Sequence, residues 1–186
     1  MNARLPSTRI TNAFTCDVED YFQVSALAPH FPRGQWDSVP CRIERNVDRI
    51  LELLDGHEAQ GTFFTLGWIA ERYPGLVRRI ADNGHEVASH GYGHERACAM
   101  TPQAFTADIK LAKAVLKDIG TLAGAGCILL YLDESQYLNK KQQQSLLECI
   151  EDGSVTLIAS TTENPYFYIY NALLSERRSG LPSAMP

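Results

Sequence analysis

The sequence has no long hydrophobic run, no paired-cysteine motif and no excess of positive charge. No apolar stretch approaches the roughly 20 residues of a membrane-spanning helix, and residues 1–12 lack the apolar core of a secretory signal peptide. The five cysteines are scattered, with no Cys-x-x-Cys pair, which suits a reducing compartment better than a disulfide framework. These absences predict a cytoplasmic protein without a membrane partner.

The charge balance narrows the class of partner further. A formal net charge of -5 argues against general affinity for nucleic acid or for an anionic membrane surface. The length of 186 residues fits one domain, or one domain and a fragment. The sequence leaves the oligomeric state open.

Apolar segments of strand and helix type alternate along the first two thirds of the chain. This order predicts an α/β fold with a parallel sheet. Between the first strand and the first helix, residues 21–39 are predicted as a loop, whose aromatic side chains either line a sugar site or join the core. The predicted strands cover residues 10–17, 61–66 and 86–88, and the predicted helices cover 43–54, 68–81 and 102–119.

The composition changes after residue 120. Residues 121–126 are rich in glycine and alanine and are predicted to be a junction. A second run of elements follows, and the last residues, 176–186, are predicted to be disordered. The elements predicted in this region are strands at 127–132 and 155–160, a helix at 139–151 and a short helix near 171–175.

Two histidines enclose a glycine-rich turn directly after the third predicted strand. His90 and His94 are separated by Gly91, Tyr92 and Gly93, and two glycines in so short a stretch disfavour a helix. The pair is therefore predicted on a loop at the carboxyl end of a strand. Neutral imidazoles this close in sequence can share one metal ion.

Three carboxylates, Asp17, Glu19 and Asp20, follow the first predicted strand. In a parallel sheet the carboxyl ends of the strands meet on one rim, so these acids are predicted to face His90 and His94. One carboxylate with two imidazoles leaves metal positions open for water and substrate, and a further carboxylate can act as general base. The alternative is that the acids form a solvated loop.

Three separated motifs, at residues 15–22, 62–64 and 83–94, resemble the polysaccharide deacetylase family. The closest likeness is to the branch associated with exopolysaccharide export genes, and it extends over about residues 10–120. The resemblance implies an incomplete (β/α) barrel of parallel strands. It also implies a metal-dependent hydrolase that removes N-acetyl groups from a polysaccharide.

The same resemblance implies roles for the site residues. Asp17 would be the general base that activates a metal-bound water, and His90 and His94 would be metal ligands. The family has a single Asp as the third ligand, whereas the Asp-Val-Glu-Asp run here leaves Glu19 and Asp20 both open. The implied metal is Zn²⁺, with Co²⁺ or Mn²⁺ as alternatives.

The later motifs of that family have no counterpart in this chain. They supply an arginine, a further aspartate and a histidine that acts as general acid, but no histidine follows His94. The leaving amine therefore has no obvious proton donor, and we expect impaired turnover. Another hypothesis is that the chain is an inactive fusion that at most binds a metal.

A second resemblance begins after the junction. Residues 128–134, 138–151 and 158–165 are similar to the replication-associated recombination protein A family of AAA+ ATPases. By this resemblance Asp133 and Glu134 match the Walker B acids, which would hold Mg²⁺ and polarise a water. The alternative function is therefore that of an ATPase fragment from DNA replication or recombination.

The phosphate-binding loop that such an ATPase needs is absent. No Gly-x-x-x-x-Gly-Lys-Ser/Thr motif occurs in the sequence, so binding of ATP with Mg²⁺ is not expected. The simplest organisation is a chimera or mis-joined chain. It comprises a partial deacetylase domain at 1–120, a junction at 121–126, an AAA+ fragment with Walker B and sensor regions at 127–175, and a tail at 176–186.

Overall fold

A computed structural model describes residues 13–119, 128–132, 135–153, 155–159, 161–169 and 173. Some of the sequence predictions concern residues outside these ranges. They are the start of the first strand, the junction at 121–126, the acids Asp133 and Glu134, most of the short helix near 171–175 and the tail at 176–186.

The described strands form one parallel sheet whose spatial order is the chain order. All carboxyl ends therefore lie on one rim, as the alternating pattern predicted, and the α/β class is confirmed. The strands are β1 (Phe14–Val18), β2 (Gly61–Thr65), β3 (Glu86–Ser89), β4 (Ile128–Leu132) and β5 (Val155–Ala159).

Helices connect successive strands. Among the described residues, none of these helices has both the length and the hydropathy needed to cross a bilayer. The helices are α1 (Ile43–Gly56), α2 (Gly67–Arg72), α3 (Pro74–Asp82), α4 (Pro102–Asp118), α5 (Lys140–Glu151) and α6 (Pro165–Tyr168).

Helix α4 begins and packs as its sequence predicts. The hydroxyl of Thr101 accepts the backbone N–H of Ala104 at 3.2 Å, and Pro102 occupies the first turn, where it needs no N–H partner. Its apolar stripe, Phe105, Ile109, Ala112 and Leu116, is buried. The helix thus presents a fixed face to the sheet.

Two sequence predictions are wrong in detail. The single helix predicted at 68–81 is two helices, because Tyr73 adopts φ -125° and ψ 55° before Pro74. A proline disfavours the helical region for the residue that precedes it. The loop predicted at 21–39 contains three short 3-10 helices, at Tyr21–Gln23, Ser25–Leu27 and Arg33–Ser38.

The hydrophobic core extends across the position of the junction. Leu130, Leu146 and Val155, from the region after residue 120, belong to the same buried cluster as Phe63 and Leu116. The polar side chain of Gln142, from the same region, is also fully buried. The strands and helix beyond the junction therefore complete the core of the part that precedes it.

Gln142, in the first turn of α5, links the two regions through hydrogen bonds. Its side-chain amide donates to the carbonyl oxygens of Ala97 at 2.5 Å and of Met100 at 2.7 Å. Both carbonyls lie between the histidine loop and α4. The segment that follows the histidines is thus fixed by a residue from the far side of the junction.

Candidate metal centre

The histidine loop leaves β3 and is joined at once to its neighbours. The N–H of His90 donates to the carbonyl of Thr65 at 3.0 Å, and the N–H of Gly67 donates to the carbonyl of Gly91 at 2.8 Å. Gly91 and His94 have positive φ values of 74° and 54°. The chain therefore turns tightly between the two imidazoles, as the glycines predicted.

The turn brings both imidazoles to Glu19, which follows β1. Oε2 of Glu19 lies 2.8 Å from Nε2 of His94 and 3.8 Å from Nε2 of His90. One ligand atom from each of the three residues lies within 4.8 Å of the others. The three side chains are only 16–19% exposed. The donors thus converge on a common point that is mostly shielded from solvent.

The unsatisfied atoms of this cluster test whether a metal fits. Oε2 of Glu19 and Nδ1 of His94 are buried and make no hydrogen bond of good geometry among the described residues, although Oε2 lies 2.8 Å from Nε2 of His94. Leaving a buried polar atom unpaired costs about 1–3 kcal/mol. A divalent cation would satisfy the carboxylate oxygen, and one carboxylate with two imidazoles is a donor set that Zn²⁺ accepts. The residues therefore fit a divalent metal ion.

The two imidazoles differ in their electrostatics. Burial lowers the pKa of His90, and the opposing charge of Asp17 only partly offsets that effect. The Glu19 carboxylate raises the pKa of His94, against the effect of its burial. His90 is therefore the readier neutral ligand, whereas His94 holds a proton to higher pH than an ordinary imidazole.

Asp17 and Asp20 have different surroundings. Asp17 lines the same cavity as the two imidazoles, and its charge raises the pKa of both. Asp20 is 4% exposed and lies outside the three-residue cluster. Of the two carboxylates that the sequence left open as ligands, Glu19 is the one that the structure brings to the histidines.

The carboxylate of Asp20 is engaged in holding the loop after β1. It accepts the backbone N–H of Tyr21 at 2.8 Å and the backbone N–H of Arg42, and it forms an ion pair with the Arg42 guanidinium at 3.8 Å. Its backbone N–H in turn donates to the side-chain oxygen of Gln23 at 2.8 Å, which completes a capping box. Asp20 thus anchors Glu19 from the next position.

A cavity of about 540 Å³ opens at the cluster. Its lining includes Asp17, Glu19 and both histidines. It also includes residues from beyond the junction, namely Leu130, Leu132, Tyr137 and Leu138. The cavity is therefore assembled from both regions of the chain.

A second cavity, of about 370 Å³, shares His94 with the first. Phe31 and Trp36 line it, although Trp36 is only 6% exposed and donates its ring N–H to the Phe31 carbonyl at 3.1 Å. Phe22 is fully buried. The aromatic residues of the first loop thus divide between the core and the cavity wall.

Sequence patterns carry no sign of two residues that shape the site. Asp108 accepts backbone N–H groups of the histidine loop, and backbone donors leave no pattern in a sequence. Tyr137 enters the cavity lining from the 3-10 helix Ser135–Tyr137, which follows the Walker B-like acids. Its position depends on the pairing of β3 with β4.

Comparison with known proteins identifies two sources of similarity. Residues 35–125 match the model of the polysaccharide deacetylase family. A peptidoglycan-N-acetylglucosamine deacetylase from Bacillus cereus is 32% identical over 75 residues, which are 40% of this chain and 27% of that protein. The replication-associated recombination protein A of Coxiella burnetii is 50% identical over 50 residues, which are 27% of this chain and 11% of that protein.

A solved structure extends the likeness to the fold. The crystal structure of a Mycobacterium smegmatis protein assigned to the polysaccharide deacetylases superposes with a TM-score of 0.58 at 24% identity, covering 81% of this chain and 58% of that one. The chain thus spans only part of each relative. The incomplete deacetylase-type barrel is confirmed, whereas the AAA+ type of the later βαβ unit rests on sequence similarity alone. Both family resemblances are confirmed, consistent with a chimera.

Proposed function

We propose, from the match of residues 35–125 to the polysaccharide deacetylase family, that this chain is a metal-dependent hydrolase of N-acetyl groups on a polysaccharide. Water would add to the acetyl carbonyl, the carbon–nitrogen bond would break, and acetate and a free amine would form. One observation carries the proposal. Ligand atoms of Glu19, His90 and His94 lie within 4.8 Å of one another at the edge of a cavity of about 540 Å³.

Glu19, His90 and His94 would hold the metal, and Asp17 would act as general base. A bound divalent metal polarises a carbonyl and lowers the pKa of a water. Asp17 lines the same cavity and is close enough for its charge to act on both imidazoles. From there its carboxylate would take the proton of the attacking water.

Zn²⁺ is the proposed metal. Two imidazole nitrogens and one carboxylate oxygen form a three-ligand shell that leaves a position for water, which is the usual arrangement of catalytic zinc. Co²⁺ and Mn²⁺ accept similar donors and are the alternatives. Binding of any of them would engage the buried carboxylate oxygen of Glu19, which makes no hydrogen bond of good geometry among the described residues.

The proposed substrate is an N-acetylated polysaccharide. The Bacillus cereus relative acts on peptidoglycan N-acetylglucosamine by its name. Phe31, half-buried in the second cavity beside His94, offers aromatic surface of the kind on which sugar rings stack. A cytoplasmic location is part of the proposal, and it is supported by four free cysteines among the described residues.

Turnover by this chain is proposed to be slow, because no histidine follows His94 to protonate the leaving amine. A small diffusible acid would then partly replace the missing donor. We expect added 2,6-lutidine near neutral pH, an acid whose methyl groups hinder coordination to Zn²⁺, to raise the rate of acetate release from chitin oligosaccharides by about 2–10-fold, less than a positioned side chain would give. An unchanged rate, after correction for ionic strength, would contradict this explanation.

Metal content after purification tests the proposed function. We expect about one Zn²⁺ per wild-type chain and essentially none in His90→Ala/His94→Ala. The matched control is His30→Ala/His57→Ala, which removes two exposed histidines away from the cluster and should retain the metal. Equal zinc in all three proteins would remove the hypothesis.

The domain boundaries are proposed as 1–120, 121–126, 127–175 and 176–186. The glycine- and alanine-rich composition of 121–126 makes it the expected site of first cleavage by subtilisin. Because β4 pairs with β3 and the core is shared, the two fragments should remain together during gel filtration. First cleavage elsewhere would move the proposed junction.

A further inference from the structure

The two peptide groups between the histidines are held by one carboxylate on α4. Oδ2 of Asp108 accepts the N–H of Tyr92 at 2.7 Å, and Oδ1 accepts the N–H of Gly93 at 3.1 Å. Hydrogen bonds from N–H groups to an ionised carboxylate are about twice as strong as those to a neutral acceptor. Both oxygens of Asp108 therefore act on the segment that sets the spacing of His90 and His94.

Gly91 permits this close approach. A Cβ built on Gly91 would lie 2.9 Å from Oδ2 of Asp108, and the φ of 74° already disfavours any residue with a side chain. The absence of a side chain at this position thus allows the carboxylate to reach the loop. Gly91 is therefore required for two reasons, namely the positive φ of the turn and the close approach of Asp108.

An arginine holds the other side of the same segment. Nη1 of Arg33 donates to the carbonyl of Gly93 at 3.1 Å. Its guanidinium lies between two rings, 5.5 Å from the centroid of Trp36 and 5.6 Å from that of Tyr92. A Cβ on Gly93 would overlap this guanidinium. The segment between the imidazoles is thus held by Asp108 through two N–H groups and by Arg33 through one carbonyl.

We infer that Asp108 is a positioning residue for the metal ligands. It lies on a 17-residue helix whose adjacent Phe105 and Ile109 are buried, so its carboxylate is carried on a rigid element. By fixing the two N–H groups, it sets the distance and orientation of His90 and His94 before a metal arrives. This inference rests on the proposed function, since it assigns Asp108 to the binding of a metal by that pair.

The test measures metal binding directly. Metal-free full-length protein would be titrated with Co²⁺, following the visible absorption of the bound ion, and with Zn²⁺ against a chromophoric chelator. The variants are Asp108→Ala and Asp108→Asn, the latter keeping one acceptor oxygen and nearly the same volume. The matched control is Asp118→Ala, which removes an exposed carboxylate at the end of the same helix. Far-UV circular dichroism checks that each variant is folded.

We expect Asp108→Ala to weaken Zn²⁺ binding by about 10–100-fold, as loss of a residue that orients metal ligands commonly does. The Co²⁺ absorption band should change in intensity or position, which a loss of stability alone would not cause. Asp108→Asn should recover part of the affinity, and Asp118→Ala should match wild type.

Wild-type affinity and spectrum in folded Asp108→Asn and Asp108→Ala would overturn the inference while leaving the proposed function intact. If Asp108→Ala does not fold, Asp108→Asn decides. An affinity within about 2-fold of wild type with an unchanged Co²⁺ band then overturns the inference, because weakening a group that orients metal ligands should cost more than that. Failure of the wild-type protein to bind either ion would instead overturn the proposed function.

Discussion

The regions on either side of residue 120 are built from the same strand-and-helix unit but are joined over a narrow seam. Strands β1 and β2 pair at five positions, β2 and β3 at four, and β4 and β5 at five. Across the seam, among the residues that the structure describes, β3 and β4 pair at one position, Ser89 with Leu130. The backbone ladder is thus weakest where the two sequence likenesses meet.

Side-chain contacts, more than backbone pairing, hold the two regions together at the seam between β3 and β4. Gln142 is fully buried and spans it with two hydrogen bonds, and Leu146 is 1% exposed within the common core. Among the described residues, the metal cluster comes from the first region, whereas residues of both regions line its cavity. The second region therefore contributes core and cavity-lining residues, and none of its described residues belongs to the metal cluster.

The largest effect is expected from cavities cut into the core on each side of the seam. Leu146→Ala and Leu116→Ala remove side chains that are 1% and 0% exposed, and each should lower the free energy of unfolding by about 2–5 kcal/mol. Because the core is continuous, both variants should unfold in a single, earlier transition in urea. Leu53→Ala, at a position 65% exposed, is the control and should change little. A main transition unmoved by Leu146→Ala would show that the regions fold separately.

A smaller effect is expected from cutting the hydrogen bonds of the seam. Gln142→Ala would leave the carbonyl oxygens of Ala97 and Met100 without this donor, and should lower the free energy of unfolding by about 1–3 kcal/mol. Chemical denaturation measures the change, with the exposed Gln144→Ala on the same helix as control. Equal stability of the two variants would mean that Gln142 does not hold the regions together.

The pH dependence of metal binding sharpens the contrast between the two imidazoles. The pKa of His94 lies above the ordinary 6.5. Below that pKa the ring is protonated, and a metal ion must displace the proton in order to bind. The lowered pKa of His90 leaves that ring neutral in the same window. The affinity for Zn²⁺ should therefore fall about 10-fold for each unit by which the pH is lowered below the pKa of His94, and one proton should be released per bound ion.

Calorimetry in buffers of different ionisation enthalpy counts the protons released on Zn²⁺ binding. Release of two protons at the acid end of that window, where a Zn²⁺-bound water keeps its proton, would show that both imidazoles are protonated there. That result would contradict the difference between His90, whose burial lowers its pKa, and His94, whose pKa Glu19 raises.

The smallest effect is expected for nucleotide. The second region resembles an AAA+ ATPase, but the chain has no phosphate-binding loop, so a fluorescent ATP analogue with Mg²⁺ should not bind. Fluorescence anisotropy up to millimolar protein would show a flat titration. Saturable binding at micromolar concentration that is lost in Asp133→Asn/Glu134→Gln would favour the ATPase hypothesis over the hydrolase hypothesis.

Much of the fold follows from local patterns. The helical stripe of α4 and its Thr101 cap both follow from the sequence, because caps and periodicity act over a few residues. The break at Tyr73 is not predicted although Pro74 is visible, since proline is also tolerated in the first turn of a helix. Local signals thus locate the elements better than their ends.

The choice between Glu19 and Asp20 could not be made from sequence. The two acids are adjacent and chemically alike, and the choice depends on Arg42, whose backbone N–H and guanidinium both engage Asp20. Glu19 is left beside the histidines, with its buried Oε2 2.8 Å from Nε2 of His94. The assignment of these residues to a metal site is a prediction, which metal analysis tests.

The sequence alone determined the parallel α/β order and placed acids and imidazoles at the ends of the first and third strands, because strand periodicity and glycine turns are local properties. The tertiary structure decided which carboxylate meets the imidazoles, which helix braces their loop and which distant residues close the cavity. Those outcomes depend on contacts between residues far apart in the chain, such as Arg42 with Asp20 and Asp108 with the loop at Tyr92. Such contacts leave no periodic trace in a single sequence.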